Sequence, residues 1–183
     1  MKGYFNAFYN AEQYFNKAEK IRLQNRGDKL PKTAFDHYDK VIEKSLNVLQ
    51  AYPEFRFRKK AQLLIAQSHY HRDEYDNALN ILMEMRQEFG DEVDLEYNFW
   101  SAMIKWKEGK VQAAINLLLS LDNEKINNNE KAKIYMAIAE IYFGEKMESE
   151  SMDYLEKAAE KIKDPIEKGQ IYYRIADLSF ENK

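Results

Sequence analysis

The chain has 183 residues, 32% of them charged, with 28 Lys+Arg against 31 Asp+Glu and a formal net charge of −3. It has no cysteine, which excludes disulfides, thiolate metal sites and cysteine nucleophiles. No apolar run approaches the roughly 20 residues of a membrane span, and the start, Met1-Lys2-Gly3-Tyr4, lacks the apolar centre of a signal peptide.

Apolar residues recur three and four apart, which predicts helices throughout and no strand. In chain order, helices are expected at about 4–24, 33–51, 55–72, 75–89, 93–108, 111–121, 129–143, 148–162 and 165–180. Gly27, Pro31, Pro53, Gly90, Gly109, Gly144 and Pro165 fall at or near the breaks. Pro165 suits the first turn of the last helix, where a missing N–H costs no intrahelical bond. The first helix carries Tyr4, Phe8, Ala11, Phe15 and Ala18 at heptad spacing, a face expected to pack on the second and third helices. Charge is uneven. Residues 1–60 hold 13 Lys+Arg against 7 Asp+Glu, a net of +6, and the rest of the chain carries −9. Such asymmetry favours an acidic partner or an anionic surface at the start of the chain, or is a solvated helix surface.

A ladder of small residues runs through these helices. Ala66, Ala102, Ala139 and Ala176 are 36, 37 and 37 residues apart. Twelve residues after each of the first three stand Ala78, Ala114 and Ser151, and Val41 extends this second series backwards by 37. Two small positions per repeat, one on each of two helices, allow the helices of a hairpin to cross closely.

Aligned on the ladder, the repeats resemble the tetratricopeptide repeat. In the second unit Ile65-Ala66, Tyr75, Ala78, Leu82 and Gly90 take the pattern positions. The third gives Ala102, Gly109, Ala114, Leu118 and Leu121, and the fourth Tyr135, Ile138-Ala139, Tyr142, Ser151, Leu155 and Ala158. The first keeps Tyr38, Val41 and Pro53, and a fifth begins at Tyr172 and Ile175-Ala176. The resemblance implies an all-α fold: a right-handed α-α superhelix of about four hairpins plus a terminal helix. It would be a single solenoid over 1–183, with units 4–53, 54–90, 91–126, 127–163 and a half unit 164–183, and part of a longer protein. Ile171, Ile175 and Leu178 of the last helix are then left with an open face, or bury against another copy in a homodimer.

Residues 4–90 also resemble bacterial envelope tetratricopeptide lipoproteins, in the style of the outer-membrane assembly lipoprotein BamD. The resemblance rests on Tyr4-Phe5-Asn6-Ala7-Phe8-Tyr9-Asn10-Ala11, on Ala51-Tyr52-Pro53 and on Glu74-Tyr75-Asp76-Asn77-Ala78-Leu79. It implies a periplasmic or outer-membrane setting, with tethering through a lipidated cysteine that this chain lacks. The alternative setting is the cytoplasm.

In such arrays the first helix of each unit lines a concave groove. The groove positions here are Leu63, Gln67, Tyr70 and His71, then Phe99, Met103, Trp106 and Lys107, then Met136, Glu140 and Phe143, and finally Tyr173, Asp177 and Phe180. An aromatic follows each alanine by one turn: Tyr70, Trp106, Phe143 and Phe180. These side chains either offer contact area to a protein partner or pack between units. The Lys and Asn carboxylate clamp of tetratricopeptide co-chaperones is replaced by Leu63, Gln67, Leu64, Trp100 and Met103, which argues against a chaperone-tail adaptor.

Motifs for chemistry are few. His69 and His71 are two apart, on different faces of a helix, whereas a helical metal pair needs three or four. His37 is isolated, and no phosphate-binding glycine loop exists. Arg26-Gly27-Asp28 is a chance adhesion tripeptide in a polar loop. Glu140, Asp177 and Glu181 disfavour a nucleic acid in the groove. The expected function is a non-catalytic protein-interaction scaffold without cofactor, binding a peptide or helix in the aromatic groove. The alternatives are a structural spacer, or an accessory domain of a larger enzyme or regulator.

Overall fold

A computed structural model describes residues 3–25, 29–52, 57–123 and 125–181. The described residues form α-helices joined by short turns, with no strand. The helices are α1 (Gly3–Gln24), α2 (Lys32–Ala51), α3 (Arg58–His71), α4 (Tyr75–Phe89), α5 (Asp94–Lys107), α6 (Val111–Leu121), α7 (Asn128–Gly144), α8 (Glu148–Lys161) and α9 (Pro165–Glu181). A 3-10 turn, Gly90–Val93, precedes α5. It was not expected from the apolar pattern; Gly90, at φ +59°, turns the chain out of α4 before it. The expected boundaries fall within a few residues of these, and Pro53 with 54–56 lies outside the described residues.

The helix ends follow local chemistry. Asn127 accepts the Glu130 N–H while the Glu130 side chain accepts the Asn127 N–H, a reciprocal box that starts α7. Asp164 accepts the N–H groups of Ile166 and Glu167, so Pro165 sits in the first turn of α9.

The repeat is visible as one backbone turn made three times. Asp73, Gly109 and Lys146 all have positive φ, at 60°, 80° and 60°. Their N–H groups donate to the carbonyls of Tyr70, Trp106 and Phe143 at 3.1, 2.8 and 3.0 Å. The next residues, Glu74, Lys110 and Met147, donate to His69, Lys105 and Tyr142 at 3.0, 2.9 and 2.9 Å. This pair of bonds closes a helix with a left-handed residue just past its end. The same three residues then accept from Ala78, Ala114 and Ser151, starting the next helix. Both series of the ladder are thus in register with the turn.

The chain divides into two compact units, residues 1–100 and 101–183, the division falling within α5. In the first, α1 packs along α2 and touches α3, and α2–α3 and α3–α4 are the other helix pairs. Phe8, Ala11 and Ala18 are buried on the inner face of α1, as its heptad spacing predicts. Phe15 and Ile21 close over Ala18, Ala34 and Tyr38, while Phe8 stacks on Phe57 at 5.5 Å beside Val48 and Ala61.

In the second unit α7 packs on α6 and α8, and α8 on α9. Its core holds Ala132, Ala139, Leu155, Ala158, Ala159, Ile162 and Ile171. Ser151 Oγ donates to the Ala139 carbonyl at 2.9 Å, so one residue of each ladder series touches the other where α7 and α8 cross. Ala66, Ala78, Ala102 and Ala114 are equally enclosed, but Ala176 is exposed, α9 packing on α8 alone among the described elements. The expected open face of α9 also changes. Ile171 is buried on α8 and Ile175 is half-buried, so the outward apolar side chains are Ile166, Tyr172 and Tyr173; Leu178 lies outside the described side chains.

Candidate interaction surface

In the first unit, the residues expected to line a groove meet each other. Tyr70 is only 6% exposed. Its ring lies 5.1 Å from His71, 5.1 Å from Trp100 and 5.8 Å from Tyr75. His71 stacks on the fully buried Tyr38 at 5.3 Å, and Phe99 meets Trp100 edge-on at 5.4 Å. Leu63, Gln67 and Phe99 are half-buried. Tyr70 is therefore a core side chain. Its neighbour on the other helix, Trp100, consumes the ring surface that a partner would need.

Behind this cluster lies a carboxylate that sequence reasoning missed. Arg22 holds Glu19 through both oxygens, at 3.0 and 2.7 Å, and the Tyr38 hydroxyl donates to Glu19 Oε1. Burial pushes the Glu19 carboxyl up. The hydrogen bonds from Arg22, with the charges of His71 and Arg22 and the Tyr38 hydroxyl, outweigh it and hold the group below its usual range. Burial, with the facing Glu19 charge, pushes the Tyr38 hydroxyl up. The only advance signal was that Glu19 follows the buried Ala18 on an amphipathic helix. That signal does not distinguish it from a solvated glutamate.

His69 points elsewhere, its Nδ1 2.5 Å from Glu74 Oε2. Arg72 clamps Glu74, pairs with Asp39 and lies over Phe35, which ties the α3–α4 turn to α2. The two histidines thus serve different carboxylates, as their spacing requires. Among the described residues, no three His, Cys, Asp or Glu side chains gather as metal ligands.

In the second unit, Trp106 lies on Gly144. A Cβ at residue 144 would come within 2.5 Å of Trp106 Cζ2, so only glycine admits the ring. The indole N–H donates to Glu145 Oε1 at 3.0 Å, and Lys107 Nζ sits 3.7 Å from the ring centroid. Trp106 is held by these contacts, half-buried, and is a structural side chain more than an open anchor. Met103 is buried, and Met136 packs against the α7–α8 core. Glu140 is half-buried and Lys107 exposed. The aromatic of the next unit differs. Phe143 is 40% exposed, as is Met147, which the groove positions did not include, and Tyr173 is 65% exposed. The side chains of Asp177 and Phe180 lie outside the described residues.

Around them, Asp122 accepts from Tyr135 and pairs with Lys131 at 3.0 Å, which holds its carboxyl below the usual range. Burial and the Asp122 hydrogen bond push Tyr135 up to about 12. Tyr142 and Tyr154 stack at 5.7 Å with Lys157 over Tyr154. The Tyr142–Tyr154 stack thus ties α7 to α8, and the Asp122 contacts tie α7 to the end of α6.

No protein-family model matches the chain, and no curated protein does. Solved structures resemble it at low identity. MamA AMB-1 is 17% identical, with 88% of this chain and 98% of that one covered and a TM-score of 0.45. The MamA RS-1 ArsTM double mutant is 8% identical, with 95% and 97% covered and a TM-score of 0.47. At these scores the likeness carries no weight of its own, and the helical fold rests on the helices and turns above. No helix among the described residues is long and apolar enough to cross a membrane.

Proposed function

We propose that this chain is a non-catalytic protein-interaction scaffold that holds a partner peptide or helix. The observation that carries the reading is the turn repeated at Asp73, Gly109 and Lys146, which joins the two helices of each hairpin with the same pair of backbone bonds. Helical repeats of this kind present large surfaces to other proteins. Within the second unit, Phe143 and Met147 are apolar side chains left exposed on a rigid hairpin, with Lys107 nearby over Trp106. Aromatic and methionine side chains supply contact area and adaptable packing. The resemblance of residues 4–90 to envelope lipoproteins supports a bacterial envelope or secretion assembly as the setting.

The test replaces exposed residues and spares Trp106, whose loss would damage the unit itself. Phe143→Ala with Met147→Ala is compared with the unaltered chain by affinity capture from native extract, beside melting curves. Loss of a specific partner by about tenfold, as for an interface anchor, is the expected result. Undiminished capture at an unchanged melting temperature would remove this surface from the proposal.

A further inference from the structure

His71 and Glu19 join two helices whose mutual contact is slight. α1 lies along α2 and touches α3 only marginally. At that contact His71 Nε2 stands 3.4 Å from Glu19 Oε1. The imidazole is 10% exposed. It lies nearly parallel to Tyr38, at 21°, while Tyr70 and Trp100 meet it at 76° and 86°. Among the described residues, the groups shown around it come from four helices. α1 supplies Glu19 and, behind it, Arg22; α2 supplies the Tyr38 hydroxyl; α3 itself supplies Tyr70; and α5 supplies Trp100, which does not titrate. Of these groups, only an imidazole ordinarily changes charge between about pH 5 and 8.

We propose that His71 is a pH-dependent latch holding α1 to α3, tightened when the imidazole gains a proton and relaxed when it loses it. The protonated ring donates a charge-assisted bond to Glu19 and presents a cation to the Tyr38 face. The neutral ring keeps its packing and loses both electrostatic gains. The hold is therefore strongest below the imidazole's ionisation range and weakens as pH rises through it. α1 stays on α2 throughout, because Phe8, Ala11 and Ala18 are buried whatever the charge on His71. What varies is the attachment of the C-terminal half of α1 to the third helix, and with it the cover over the Tyr38–His71–Trp100 cluster. The two-residue spacing of His69 and His71, unsuited to a metal, is what lets one histidine serve the turn and the other this latch.

The experiment is hydrogen exchange of the α1 amides in the full chain at about pH 5.5 and about pH 8, corrected for intrinsic exchange, with an NMR titration of the histidine rings. The C-terminal half of α1 is expected to be about fivefold better protected at the lower pH, a ratio lost in His71→Gln and reduced in Glu19→Gln. The His71 midpoint is expected to move in Glu19→Gln. An equal protection ratio in the unaltered chain and His71→Gln would overturn the latch. Should His71→Gln fail to fold, a His71 midpoint unmoved by Glu19→Gln overturns it equally.

Discussion

Single residues decide which aromatics of this chain are surface and which are scaffold. Trp106 and Phe143 occupy equivalent places in consecutive repeats, yet their neighbours differ. Trp106 finds a residue with no Cβ and a carboxylate for its N–H, and it lies down on them. Phe143 stays 40% exposed. The indole's position makes Gly144 specific. Gly144→Ala pushes a methyl into Trp106 Cζ2 and is expected to cost about 1–3 kcal/mol by overpacking. Thermal melting followed by tryptophan fluorescence checks it; an unchanged melting temperature and spectrum would mean that the ring is not seated there. From sequence, Gly144 read simply as a break near a helix end, because nothing in its neighbours announces a tryptophan 38 residues earlier.

At the level of elements, the hairpins depend on small residues where helices cross. Ser151 shows the contact directly, its hydroxyl reaching the Ala139 carbonyl on the partner helix. Ala114 is fully buried at the corresponding place one repeat earlier. Ala114→Leu inserts three carbon atoms into that contact and is expected to destabilise by about 1–3 kcal/mol. Ala113→Leu, one position along on the exposed side of α6, serves as the control and should fall within about 0.5 kcal/mol, as surface changes do. Equal effects at both positions, measured by urea unfolding, would contradict the assigned crossing face. The ladder and the helix boundaries were legible because close crossing and helical periodicity each impose a fixed spacing on the chain. The turn residues were less so. Gly109 announced its positive φ, whereas Asp73 and Lys146 adopt the same conformation without being glycine.

Across the whole molecule, ionised carboxylates hold turns and helix pairs together. Glu19, Glu74 and Asp122 are all kept below their ordinary ionisation range by the donors described above, and Glu88 is kept there by hydrogen bonds from Arg58 and Gln62 against the opposing effect of burial. For Glu74 the first cause is the Arg72 hydrogen bond, with burial opposing it. A carboxyl with a depressed folded-state pKa stabilises above its unfolded value, and that stability is lost as pH falls through the folded one. The melting temperature is therefore expected to drop as pH falls below about 4.5, in the carboxyl range. A flat profile from about pH 5 to about pH 3 would show that these pairs carry no linked stability. The amino-acid sequence by itself determined the helical class, the nine α-helices found among the described residues and the period of 36 to 37 residues, because backbone periodicity and the size limit at helix crossings are local properties. It could not decide which recurrent aromatics remain accessible. Tyr70 is closed in by Trp100 and His71, Trp106 rests on Gly144, and Phe143 keeps 40% of its surface exposed, since each outcome depends on side chains that only tertiary packing brings together.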